Sequence, residues 1–228
     1  MNQELTSVVD HFNPETPMAV EFRRLVSRLQ YKRADTPMSP ILLTSAQHSE
    51  GKTTTASFLA VTLAHQSDKS VAIVDLDLHR PRIHHMFGLP LKNGCTELIQ
   101  GAGDAESVSK PTGLPNLSVV TAGTMVRSPA SLFEPELIEQ LLKKLTARFD
   151  VVLLDSPPLL PVSDTMVIAP LAASVLYVVM AGKTPRDVVI RGRELLEDVN
   201  AKLTGVVLNN SKGVLPYYYN YKYYGYSN

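Results

Sequence analysis

Apolar and polar positions in this chain fall into blocks with two different periods. Phe22, Leu25, Val26 and Leu29 recur at i, i+3, i+4 and i+7, with Glu21, Arg23, Arg24, Arg28 and Lys32 off that stripe. This spacing predicts an amphipathic helix, broken near 35–40 by two prolines. From Ile41 onward, short apolar runs alternate with helical patterns. The runs predict strands at 41–45, 71–76, 117–121, 151–155, 174–180 and 204–208. The intervening patterns predict helices at 52–65, 129–148, 163–171 and 184–199, with a shorter one at 95–100. That order implies an α/β fold, a mostly parallel sheet with helices on both faces and right-handed crossovers. In such sheets ligands sit beyond the carboxyl ends of the strands, so residues just after each strand are the candidates for chemistry.

Composition narrows this picture without redirecting it. With 228 residues, 19% charged and 44% hydrophobic, the chain suits one globular domain rather than a disordered one. Twenty-two basic residues balance 22 acidic ones, so nothing marks the whole chain as a nucleic-acid binder. The single cysteine, Cys95, excludes an internal disulfide framework and reads as a small core residue in a reducing, cytoplasmic setting. The longest mainly apolar run, 171–181, falls well short of the ~20 residues a spanning helix needs. MNQELTSVVDHF has no basic stretch leading into an apolar core, so neither a membrane span nor a secretory signal is expected. The expected organisation is an arm and amphipathic helix (1–40), a nucleotide-binding domain (41–212) and a tail (213–228). Residues 1–17 carry two prolines and little periodicity, which fits an arm that either packs or stays mobile. The tail, PYYYNYKYYGYSN from Pro216, holds seven of the nine tyrosines.

Candidate chemistry begins after the first strand, at Ser45-Ala46-Gln47-His48-Ser49-Glu50-Gly51-Lys52-Thr53-Thr54. Strand, loop and helix in that order are the setting of a Walker A phosphate loop. Backbone N–H groups at a helix N-terminus attract phosphate, a lysine adds a point charge, and a hydroxyl can reach Mg²⁺. Ala46 stands where that pattern has its first glycine. Two strands then deliver carboxylates at their ends, Asp75 and Asp77 after 71–74, and Asp155 after 151–154. Magnesium takes oxygen ligands, and three carboxylates near a phosphate loop are an expected cage. Singly, each is equally a helix cap or turn residue. His79, His84 and His85 do not suggest a metal site, since adjacent histidines are expected to point apart and no cysteine assists.

Together these residues resemble the bacterial tyrosine kinases of capsular and exopolysaccharide synthesis. The resemblance runs from about Val20 to the C-terminus. It rests on the 45–54 loop, on Val74-Asp75-Leu76-Asp77-Leu78-His79-Arg80-Pro81, on Val152-Leu153-Leu154-Asp155-Ser156-Pro157-Pro158, on Gly205-Val206-Val207-Leu208-Asn209, and on the tyrosine tail. All but the tail are loosely shared with the partition and cell-division ATPases, a P-loop NTPase group. Those usually carry a signature lysine where this chain has Gln47.

The resemblance implies ATP and Mg²⁺ as cofactors. Glu50, Gly51, Lys52, Thr53 and Thr54 would form the phosphate-binding turn, Asn209 would contact adenine, and Thr53, Asp77 and Asp155 would support the metal. Lys52, Asp75 and Asp77 would be catalytic, Asp75 resembling the carboxylate that activates the attacking hydroxyl, with the division of labour between Asp75 and Asp77 left open. Asn209 can equally be a turn residue, and Arg80 and Arg82 either meet phosphate or acidic groups or are simply solvated. Phosphate would be accepted by Tyr217, Tyr218, Tyr219, Tyr221, Tyr223, Tyr224 and Tyr226 of a neighbouring molecule. Implied partners are further copies in a ring-type homo-oligomer, a membrane activator of the polysaccharide co-polymerase kind that recruits the protein to the inner face of the plasma membrane, and a tyrosine phosphatase. The family usually has proline and glycine at His48 and Ser49, and a glutamate with two arginines spaced by three on its first helix. Here Glu21 and Arg24 fit, while Ser27 takes the third place beside Arg28. The competing readings are a partition-type ATPase switch and a scaffold with weakened catalysis.

Overall fold

A computed structural model describes residues 7–31 and 39–210. Its strands are β1 (Ile41–Ser45), β2 (Val71–Asp75), β3 (Lys110–Pro111), β4 (Leu117–Val120), β5 (Val151–Asp155), β6 (Ser174–Met180) and β7 (Leu203–Asn209). They form one sheet in the order β3-β4-β2-β5-β1-β6-β7, parallel throughout except where β3 meets β4. Every residue of β1, β2 and β5 is buried, which is why these strands open on continuous apolar runs instead of alternating ones, with polar residues only at their carboxyl ends.

Among the described residues seven α-helices accompany the strands: α1 (Pro17–Tyr31), α2 (Lys52–Gln66), α3 (Ile83–Met86), α4 (Cys95–Ile99), α5 (Pro135–Thr146), α6 (Asp164–Ile168) and α7 (Arg186–Asp198). Successive strand residues point to opposite faces, so each central strand feeds two cores. Leu42, Val74 and Leu154 pack with Leu98, Ile138, Leu141 and Leu196 on one side. Ile41, Leu43, Ile73 and Leu153 pack with Leu59, Leu63, Val26 and Leu29 on the other. Burying Val26 and Leu29 contributes about 1.5–3 kcal/mol each, and Phe22 adds a stacked contact to Phe58 at 5.7 Å between ring centroids. The arm packs as well over its described residues, 7–16. Val8 is buried and donates its N–H to the Met86 carbonyl at 2.8 Å, and the Phe12 ring stacks on His65 at 5.0 Å.

The sequence expectations need correction where proline intervenes. The helix expected over 129–148 is two pieces, a 3₁₀ turn (Pro129–Leu132) and α5, because Pro135 lacks the N–H that would continue the first and suits the first turn of the second. Likewise 163–171 divides into α6 and a 3₁₀ turn (Ala169–Leu171) containing Pro170. The helix expected from 184 starts at Arg186, after Pro185. The short elements β3 and α3 were not expected. The tyrosine tail, with every tyrosine from Tyr217 to Tyr226, and the boundary at 213 lie outside the described residues.

Candidate phosphate-binding site

The carboxyl ends of β1, β2 and β5 are neighbours in the sheet, and the residues that follow them converge. After β1 the chain curls through two left-handed residues, Ser49 (φ 64) and Gly51 (φ 89), before α2 starts at Lys52. Serine there costs about 1–2 kcal/mol that glycine would avoid. No side chain caps the N-terminus of α2. Its first N–H groups and the positive end of the helix dipole therefore form a ready anion site. Thr54, in that first turn, is exposed.

Lys52 lies nearly buried, its Nζ 3.0 Å from Asp77 Oδ2. Burial alone would lower its pKa, but the Asp155 and Asp77 carboxylates outweigh it and hold the ammonium above its ordinary value. The Thr53 hydroxyl donates to Asp155 Oδ2 at 2.6 Å. The other Asp155 oxygen, Oδ1, is buried without a hydrogen-bond partner. Burial pushes the Asp155 carboxyl up to about 6, with Lys52 and Thr53 opposing. This orphan oxygen beside a hydroxyl is an oxygen-only donor set of the kind a hard divalent cation accepts.

Asp75 and Asp155 occupy facing register positions on β2 and β5, and both are fully buried. Asp75 is engaged by backbone: Oδ1 accepts the N–H of Asp77 (3.2 Å), and Oδ2 accepts those of Arg82 and Ile83 (3.0 Å each). Burial first, then the charge of Asp155, raise its pKa well above the carboxylate range. Asp77 Oδ1 accepts the Arg80 N–H at 3.0 Å. The expectation of a three-carboxylate cage is thereby corrected. Among the described residues no group of three or more His, Cys, Asp or Glu could hold a metal, because Asp75 serves the 76–83 loop instead. Any cation held by Asp155 and Thr53 would have to complete its shell with phosphate and water oxygens. Arg80 and Arg82 contribute backbone N–H groups, and both residues are exposed.

Asn209 meets the phosphate loop from the end of β7. Its Nδ2 donates to the Glu50 carbonyl at 3.0 Å and its Oδ1 accepts the Asn210 N–H at 2.8 Å, so the amide expected to contact adenine is engaged at both ends within the chain. Glu50 is buried; its Oε2 accepts the Gln47 N–H at 2.7 Å and its Oε1 accepts the Thr184 hydroxyl. The carboxylate therefore braces the loop from within.

Two partners were not anticipated from sequence. Thr184 is one; Asp164 is the other, buried and 2.7 Å from His79 Nε2, tying the loop after β2 to the start of α6. An acid in the first turn of a helix was the available signal for Asp164. The histidine expectation also changes: the rings of His84 and His85 do not point apart but lie 3.9 Å apart between centroids. Cys95 is buried and free, as expected of a core residue. On α1, Arg24 pairs with Glu21 at 2.5 Å, both about half exposed, and Arg28 is exposed.

Known proteins resemble this chain in sequence and in fold. The ParA family, described as NUBPL iron-transfer P-loop NTPase, matches residues 38–224. Tyrosine-protein kinase YwqD of Bacillus subtilis is 30% identical over 219 residues, covering 96% of this chain and 91% of that protein. Tyrosine-protein kinase etk of Escherichia coli is 30% identical over 197 residues, 86% of this chain but 27% of that longer protein. Among solved structures, the kinase domain of Escherichia coli tyrosine kinase ETK superposes with a TM-score of 0.84 at 27% identity, covering 92% of this chain and 82% of that one. The septum site-determining protein MinD of Pyrococcus horikoshii, complexed with Mg-ADP, shares the fold at a TM-score of 0.64, 19% identity, and 77% and 73% coverage.

Proposed function

Because the chain belongs to the bacterial tyrosine-protein kinases, within the ParA-type P-loop NTPases, we propose that it transfers the γ-phosphate of ATP to tyrosines of its own C-terminal cluster on a neighbouring molecule, as part of the control of capsular or exopolysaccharide synthesis. The observation that carries the reading is the arrangement of Lys52, Thr53, Asp77 and Asp155 at the uncapped start of α2. In the transfer the tyrosine oxygen bonds to the γ-phosphorus, the bond from that phosphorus to the β–γ bridging oxygen breaks, and ADP leaves with the electron pair. The phenolic proton passes to the Asp77 carboxylate, whose own N–H is anchored by the buried Asp75. Lys52 neutralises charge on the outer phosphates, and the α2 N–H groups hold them in place. Mg²⁺, held by Thr53 and Asp155 with Asp77 close by, supplies further charge neutralisation when bound.

The remainder of the reading concerns partners. A tail of seven tyrosines and one lysine gains about −1.5 to −2 charge per phosphate, so repulsion rises steeply with occupancy and favours graded release of an assembly. A membrane activator that brings the chain to the inner face of the plasma membrane, and a tyrosine phosphatase that resets the tail, complete the proposed cycle.

The test mixes a Lys52→Met chain carrying an intact tail with a competent chain truncated after Leu215, in ATP and Mg²⁺. Phosphotyrosine on the Lys52→Met chain is expected. Its absence, while the competent chain labels an added tyrosine peptide, refutes transfer between molecules; ATP hydrolysis with no phosphotyrosine anywhere identifies a partition-type switch instead.

A further inference from the structure

We propose that Thr184 is a positioning residue for the phosphate loop, acting through the buried carboxylate of Glu50. This rests on the nucleotide reading of that loop. The loop holds a shape that its own residues do not wholly favour, since Ser49 stands at φ 64 without being glycine. An external brace accounts for it, and three elements meet at Glu50 to supply one. Through Oε2 the carboxylate closes the loop on itself, accepting the Gln47 N–H. Through Oε1 it accepts the Thr184 hydroxyl from the turn between β6 and α7. Thr184 is itself fastened to the end of β6, donating its N–H to the Met180 carbonyl at 3.0 Å and accepting the Met180 N–H on its hydroxyl at 3.3 Å. The Glu50 carbonyl is held in turn by Asn209 at the end of β7.

Charge explains why this brace matters for binding. A carboxylate one residue before Gly51-Lys52 would repel a polyphosphate if it faced the cradle. Held inward, it is stabilised by its two donors and its field on the anion site is reduced. Without the Thr184 hydroxyl a buried carboxylate is left short of a donor, and its way to recover one is to turn toward solvent on the phosphate side. Loss of that hydroxyl should therefore weaken nucleotide binding, although Thr184 itself touches no phosphate.

The experiment titrates the full chain with fluorescent ADP and Mg²⁺, and measures KM and kcat for ATP, in wild type and in Thr184→Val, Thr184→Ala and Thr184→Ser. Both variants lacking the hydroxyl are expected to raise the ADP Kd and the ATP KM about five- to tenfold while kcat at saturating ATP changes less than about twofold, and serine is expected to restore both. Wild-type affinity in whichever of the valine and alanine variants folds, a loss confined to kcat, or a serine variant as weak as valine would each overturn the role of Thr184. Failure of the wild type to bind ADP would overturn the nucleotide reading instead.

Discussion

Substituting alanine for Gly51 should damage the fold through one identifiable contact. Gly51 caps α2 at φ 89, and a Cβ there would run into the Asn209 amide nitrogen and lie 3.1 Å from its Cγ. Two costs follow. A non-glycine residue in this left-handed region loses about 1–2 kcal/mol. The clash is with the far end of a side chain that can swing aside, so its cost is the hydrogen bond from Asn209 to the Glu50 carbonyl, about 1 kcal/mol. Gly51→Ala should therefore lose about 2–3 kcal/mol, and Asn209→Ala alone about 1 kcal/mol. The double variant should lose no more than Gly51→Ala, because the hydrogen bond is lost only once, leaving a coupling of about 1 kcal/mol. Urea unfolding followed by circular dichroism reads this directly: with a slope of about 1–3 kcal/mol per molar, the Gly51→Ala midpoint falls by roughly 1 M. Strictly additive losses, or an unchanged midpoint for Gly51→Ala, would show that Asn209 does not press on the loop.

Two further expectations concern carboxylates with displaced pKa values. Asp155 has its pKa raised to about 6 from 3.8, so the stability this group contributes is fully present below 3.8 and lost as pH rises through 6. Asp155→Asn should then stabilise the nucleotide-free protein at pH 8 by at most about 3 kcal/mol, seen as a higher thermal midpoint, and have little effect near pH 4, while Mg²⁺-dependent turnover falls; a midpoint that drops at pH 8 would refute this. Glu97 shows the opposite sign. Burial opposes its ionisation, but the N–H groups of Gly94 and Thr124 and the Thr124 hydroxyl hold it near 2 against an ordinary 4.5. Its contribution is present above 4.5 and lost as pH falls toward 2, so Glu97→Gln, with the charge partly screened by solvent, should cost about 1–2 kcal/mol at pH 7 and about a quarter of that at pH 2.5, measured by urea unfolding at both. Equal losses at the two pH values would remove the charge from the explanation.

What the sequence made legible follows from how strongly each feature constrains local composition. Strands buried on both faces are mainly apolar until the chain nears the site, so 41–45 and 151–155 agree with β1 and β5 to the residue. A phosphate loop needs its glycine, lysine and hydroxyl in immediate succession, so Gly51, Lys52 and Thr53 stood out. Side chains that act on distant backbone leave no such trace. The resemblance implies a catalytic role for Asp75, but spacing alone does not reveal that its oxygens accept the N–H groups of Asp77, Arg82 and Ile83. The Glu50–Thr184 contact joins positions 134 residues apart. Glu97 was more accessible. A glutamate three residues after Gly94, at the start of a short apolar helix, carries half the signature of a capping box.

The facing positions of Asp75 and Asp155 have a consequence for how this gene can change in length. Side chains on a strand alternate with a period of two, so deleting one residue within 71–75 or 151–155 would not merely displace its carboxylate by a few ångströms. It would turn that carboxylate to the opposite face of the sheet, away from Lys52 and Thr53, and bring an apolar side chain into its place. The 101–103 turn after α4 lies outside every strand, carries no such parity and can gain or lose residues in ones or twos. Length variation introduced at random should therefore survive selection for activity in that stretch and be purged from β2 and β5, with single-residue changes there as damaging as the loss of the carboxylates themselves.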